Sequence, residues 1–166
     1  MIKKFLIATM AFLLGAVVSM AFVGLTAVEI PAADFPSFEN GVLKAKERAS
    51  PHDWIKEQDI KMYNDGVTIN LENPQWAVFA DTNSMDPIID AGAHAIEIIP
   101  KTPDDVHVGD IVSYQSGSST IIHRVIKTGE DSKGWYAEFK GDNNPVKDPE
   151  KVRFKDIKRI VVAVIY

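Results

Sequence analysis

No cysteine occurs in the 166 residues, which excludes a disulfide scaffold, a thiolate zinc site and a cysteine nucleophile. It leaves the redox compartment open, since a chain without cysteine can fold anywhere. Basic residues are also in short supply. Eighteen Lys and Arg stand against 23 Asp and Glu, a net charge of −5, whereas a general nucleic-acid binder needs a basic face to displace counterions. Nucleic acid is therefore not an expected partner. Of the four histidines, His52, His94 and His107 lie far apart without metal-ligand spacing, so neither a metal nor another cofactor is expected. What remains, 46% hydrophobic and 25% charged with 10 Gly and 9 Pro, is an ordinary globular composition of one-domain length.

Charge is absent in one place above all. Lys3 and Lys4 precede residues 5–28, a stretch without a single charged side chain. About 20 apolar residues of helix cross the hydrocarbon core, while a secretory h-region runs only about 7–15. The length predicts an uncleaved transmembrane anchor with residues 1–4 cytoplasmic and everything from Glu29 outward on the extracytoplasmic face. Ser19-Met20-Ala21 also offers a small-x-small processing site, in which case the mature chain would begin at Phe22. Setting aside the two lysines leaves 16 basic and 23 acidic residues, a charge of −7.

Residues 29–66 read as linker and helical segment. Pro31, Pro36 and the polar run from Ser37 to Gly41 suggest a linker. Residues 42–49 could form a short amphipathic helix. Ser50, Pro51 and Asp53 resemble an N-cap, N1 and N3, with Trp54, Ile55, Ile60 and Met62 as an apolar side, until Asn64-Asp65-Gly66 ends the segment. This insert carries no chemical motif and is expected to be a spacer or partner-binding element. Residues 67–166 change character. Short strands are predicted over 67–71, 76–80, 95–99, 110–115, 119–126, 135–140 and 159–165, separated by Gly-, Asn- and Pro-rich turns. That pattern predicts a mainly β, antiparallel domain. Trp54, Trp76, Trp135 and Phe79 are expected in its core.

Three segments of this β domain carry reactive side chains. Asp81-Thr82-Asn83-Ser84-Met85-Asp86-Pro87 follows an apolar strand. Ile121-Ile122-His123-Arg124-Val125-Ile126 sets one His between apolar neighbours. Gly141-Asp142-Asn143-Asn144-Pro145-Val146-Lys147-Asp148 is a tight acidic loop. Taken singly, each reads as a turn or a structural His, because Ser, Asn, Asp and Pro are what turns are made of.

Taken together and in order, Ser84-Met85-Asp86-Pro87, Gly109-Asp110-Ile111-Val112, Ile122-His123-Arg124-Val125 and Gly141-Asp142-Asn143-Asn144 with the downstream Asp148 resemble the type I signal peptidases, on the archaeal and endoplasmic-reticulum branch with a Ser-His-Asp site. The likeness covers about half the chain and omits the insert. It differs from the family pattern at Thr82-Asn83 and at Ala91-Gly92-Ala93-His94. The resemblance implies an all-β signal-peptidase core held at the membrane by the amino-terminal helix. It implies a serine endopeptidase that cleaves signal peptides or similar segments from exported precursors, with accessory subunits left open. A dedicated or self-processing protease of one precursor, and a non-catalytic tethered β domain that binds a secreted partner, are the alternatives.

Peptide hydrolysis needs an activated nucleophile, a proton carrier and oxyanion donors. Ser84 would supply Oγ and His123 would act as base. By the family pattern Asp148 orients the imidazole, with Asp142 the competing acid. The oxyanion hole would combine the Ser84 N–H with the Thr82 hydroxyl. Met85 and Pro87 would shape the substrate cleft. Arg124 alternates to the strand face opposite His123, which suits a surface or structural pair.

Overall fold

The computed structural model describes residues 37–39, 42–44 and 47–166, with side chains from Glu47 onward. The anchor expected over residues 5–28, and the processing site within it, lie outside the described residues. Among the described residues no helix is long and apolar enough to cross a membrane.

The chain is mainly β. Its centre is a six-stranded antiparallel sheet made of β5 (Gln75–Val78), β6 (His94–Ile98), β7 (Ile111–Ser116), β8 (Ser119–Asp131), β9 (Gly134–Lys140) and β10 (Ile157–Ile165). The order across the sheet is β5-β6-β10-β7-β8-β9, so the last strand inserts between β6 and β7. Two hairpins precede it, β1 (Ser37–Glu39) with β2 (Val42–Lys44) and β3 (Ile60–Tyr63) with β4 (Gly66–Ile69). Two-residue turns close β7 onto β8 at Gly117-Ser118 and β8 onto β9 at Ser132-Lys133. Gly117 (φ 56°) and Gly134 (φ 92°) supply the left-handed backbone those turns require.

Alternation along the strands divides the core in two. One sheet face buries Val112, Tyr114, Val125, Phe139 and Ile160, the other Met85, Ile89, Ala95, Ile111 and Val161. Every strand predicted from residue 67 onward is present. β8 runs five residues beyond its expected end because a bulge between Val125 and Lys127 lets it keep pairing with β9.

The helical insert is a correction. Val42–Lys44 is a strand, residues 47–56 are irregular, Glu57–Asp59 is a single 3-10 turn and Ile60–Tyr63 is again a strand. The reason is local and tertiary at once. Asn64-Asp65 is a two-residue connection that closes Ile60–Tyr63 onto Gly66–Ile69, and the Asn70 amide donates to the Asp59 carbonyl at 2.8 Å. The supposed helix start instead spends its donors on the β domain. The His52 amide and the Trp54 indole both donate to Asp110 Oδ1, at 2.8 and 3.2 Å. Trp54, Trp135 and Phe79 pack on the core as expected, but Trp76 is 60% exposed, because the edge strand β5 turns it outward.

Candidate functional site

The loop after β5 places Ser84. Asn83 adopts a left-handed conformation (φ 55°), which Asn tolerates better than most residues, and the turn continues through Ile88 and Ile89 amides donating to the Met85 carbonyl. Met85 is buried in the core and anchors the turn from below, while Ser84 Oγ stays accessible beside Thr82 Oγ1 at 3.3 Å. The Gly141–Asn144 loop then clamps the turn from the side. The Asn143 amide donates to the Ser84 carbonyl (2.9 Å), the Asn143 side chain donates to the Asn83 carbonyl (2.9 Å), and the Asp142 amide faces Met85 Sδ at 3.4 Å. The two loops approach so closely that a Cβ on Gly141 would stand 2.6 Å from the Ser84 carbonyl oxygen.

That clamp is held by Arg124. Its guanidinium donates to both carboxylate oxygens of Asp142, Nε to Oδ1 at 2.8 Å and Nη2 to Oδ2 at 2.7 Å. Nη1 donates to the carbonyls of Gly109 (2.8 Å) and Ala49 (3.3 Å), and the Arg124 and Asp142 side chains are buried. Arg124 is thus the structural partner its place in the strand suggested. Asp142, the competing acid, is spent on it.

His123 is directly opposite Val112 and therefore projects from the other face of β8. It is buried, and Asp148 reaches it from the loop beyond β9, fixed by its own amide donating to the Phe139 carbonyl at 2.8 Å. His123 Nδ1 and Asp148 Oδ2 lie 2.7 Å apart, and the Tyr114 hydroxyl donates to the same oxygen at 2.6 Å. Burial raises the Asp148 carboxyl, but the His123 and Tyr114 hydrogen bonds and the His123 charge together outweigh it and hold the group below its ordinary value. An ionised carboxylate only accepts, so Nδ1 carries a proton in either form of the ring, and in the neutral imidazole Nε2 keeps its lone pair. Burial, followed by the Asp148 contact, pushes the Tyr114 hydroxyl far above its usual range, so it remains a donor.

Ser84, Thr82, Met85 and His123 line one cavity of about 620 Å³, together with Asn144. Pro87 is exposed and does not line it. Among the described residues no hydrogen bond joins Ser84 to His123; both line the cavity, and the Asp148–His123–Tyr114 set is in hydrogen-bond contact. Sequence reasoning missed Tyr114, although its place on the Val112 face of β7, one strand from His123, follows from alternation. It also missed the clamp on Ser84 and the buried Glu97, which sits in the same cavity. His52 and His107, far apart in sequence, stack with ring centres 4.1 Å apart beside Trp54.

The arrangement is that of a β-sheet domain with an accessible serine and a carboxylate-oriented imidazole opening on one cleft. No family model matches the chain. It is similar to an uncharacterized protein of Methanocaldococcus jannaschii, 44% identical over 50 residues, which is 30% of this chain and 25% of that protein. The matched stretch thus spans about a quarter of that relative's length. No solved structure matches.

Proposed function

We propose that the chain is a membrane-anchored serine endopeptidase of the type I signal peptidase kind, cleaving signal peptides or similar segments from exported precursor proteins. The observation that supports it most is the Asp148–His123 pair at 2.7 Å beside a cavity shared with Ser84. In this reading Ser84 Oγ attacks the scissile carbonyl as its proton passes to His123 Nε2. The tetrahedral oxyanion is met by the Ser84 N–H and the Thr82 hydroxyl, whose Oγ1 stands 3.3 Å from Ser84 Oγ. His123 then gives the proton to the leaving amine, the acyl-enzyme forms, and water resolves it by the reverse proton path. Asp148 keeps the imidazole in the useful tautomer and stabilises its charged form.

The proposed topology keeps residues 1–4 in the cytoplasm and the β domain on the extracytoplasmic face, next to the emerging substrates. Full-length protein in detergent should react with a serine-directed phosphonate and cleave a signal-sequence peptide, and both reactions should disappear in Ser84→Ala and His123→Ala. His123→Lys should be as inactive as His123→Ala, since Asp148 would keep a lysine protonated. Equal labelling of wild type and Ser84→Ala would refute the peptidase and leave a tethered binding domain.

A further inference from the structure

Glu97 is a buried acid that the proton path leaves unused. It stands on β6, 6% exposed, and lines the same cavity as Ser84 and His123. Register explains its company. Glu97 pairs with Gln75, and Ser113 of β7 pairs with Arg159 of β10, so Glu97, Ser113 and Arg159 share the sheet face that Ala77 and Phe79 present to the cavity. Donors to the carboxylate are scarce there. The single Ser113 hydroxyl proton is divided between Glu97 and the Arg159 carbonyl at 3.4 Å, and an Arg159 Nη2 is directed to Gln75 Oε1 at 3.4 Å. Burial accordingly holds the Glu97 carboxyl above its ordinary value, with the Arg159 charge and the Ser113 hydrogen bond opposing it.

We propose that this end of the cavity is a subsite for a neutral, hydrogen-bond-donating side chain of the substrate, a hydroxyl or a carboxamide, with Glu97 as its acceptor. The proposal rests on reading the cavity as a peptidase cleft and names what that cleft selects. An apolar side chain here would displace water from the carboxylate and offer it no donor, which is costly for a buried acid. A cationic side chain fares no better. Arg159 already offsets the Glu97 charge, and the exposed Lys158 adds a second positive charge to the cavity wall. A hydroxyl or carboxamide supplies the missing proton without adding charge.

The test uses full-length Ser84→Ala protein in detergent and fluorescent signal-sequence peptides, each carrying Ala, Leu, Ser, Asn or Lys at one position near the cleavage point. Equilibrium anisotropy should reveal one position at which Ser or Asn binds about tenfold more tightly than Ala or Leu, the span of one hydrogen bond to a charged acceptor. Glu97→Leu should abolish that preference, and Glu97→Gln, which keeps an acceptor, should retain it. Tightest binding by Lys, equal binding of Ala and Ser at every position, or no binding by any peptide would overturn the subsite, and the first two are read on the parent protein even if Glu97→Leu fails to fold. Preference without phosphonate labelling of the wild type would instead remove the peptidase and leave the subsite standing. Cleavage without preference would do the reverse.

Discussion

Asp142 and Asp148 lie six residues apart in one loop, and substituting each by Asn should separate two kinds of damage. Asp142→Asn removes a buried charge from a guanidinium that makes bonds of 2.8 and 2.7 Å to it and is itself only 6% exposed. Breaking one side of a buried ion pair costs about 3–5 kcal/mol. In a domain of this size about 1 kcal/mol moves the melting temperature by about 4 °C, so the loss should be about 12–20 °C. Turnover measured well below that melting point should fall by no more than about tenfold, through looser seating of Ser84 by Asn143, because no proton step passes through Asp142. Asp148→Asn should behave oppositely. Asp148 is partly exposed and Tyr114 can still donate to the amide oxygen, so the melting temperature should fall by much less than for Asp142→Asn. The tautomer of His123 is no longer enforced, and kcat should drop about 10³–10⁴-fold. Differential scanning calorimetry and peptide cleavage on the same preparations decide the matter. Normal melting with lost turnover for Asp142→Asn, and retained turnover for Asp148→Asn, would refute the assignment of both acids.

Three further outcomes follow from individual contacts. Tyr114→Phe removes one of the two donors to Asp148 Oδ2 and should lower kcat by about tenfold with KM unchanged, since the bond is to a charged group; an unchanged kcat would make the hydroxyl a packing feature. Asp148 is held below its ordinary value of 3.8, so its contribution to stability is complete above that pH and is lost as the pH falls beneath it. The melting temperature should therefore fall less between pH 5 and pH 3 in Asp148→Asn than in the wild type, and equal falls would contradict the shift. Gly109 has φ 104°, and a Cβ there would stand 2.0 Å from the Ser50 carbonyl oxygen, so Gly109→Ala should displace residues 48–54 from the sheet. Faster proteolysis of that segment, read by mass spectrometry of the fragments, is the expected signature.

The strands from residue 67 onward were legible because alternation and turn chemistry agree along them: Val-Ser-Tyr-Gln and Trp-Tyr-Ala-Glu-Phe are each bounded by Gly turns, and nothing tertiary opposes them. The segment before them was not. Ser50, Pro51 and Asp53 form a plausible helix start by residue type, yet the buried Asp110, 0% exposed, offers Oδ1 to both the His52 amide and the Trp54 indole and holds the segment in an irregular path. Asp110 needs those donors, since a buried carboxylate without them is unstable. A local signal therefore lost to a charge more than 50 residues away, which no window of the sequence contains. The Asn64-Asp65 turn is local, but by residue type it reads equally as a helix end, because the apolar residues before it also fit a helical spacing.

Strand geometry explains why the two acids could not be told apart from sequence and why the structure separates them. Adjacent residues of β8 face opposite ways, so His123 and Arg124 must find their partners on different sides of the sheet. Each needs one carboxylate, and the loop after β9 holds two. Alternation alone therefore requires that one acid be structural and one face the imidazole. It does not say which, because an irregular loop has no period from which direction can be read. Two backbone bonds make the assignment. The Asn143 amide ties the start of the loop to Ser84, on the side where Arg124 is buried, and the Asp148 amide returns to Phe139, whose ring stacks on Tyr114 at 4.4 Å on the His123 side. The loop thus crosses the end of the sheet and delivers one acid to each face. The same crossing seats the serine turn and the imidazole on a common cavity, so the structural pair Arg124–Asp142 and the polar set of Asp148, His123 and Tyr114 depend on one loop path. Changing that path should disturb both together, whereas changing either acid alone should disturb only its own side.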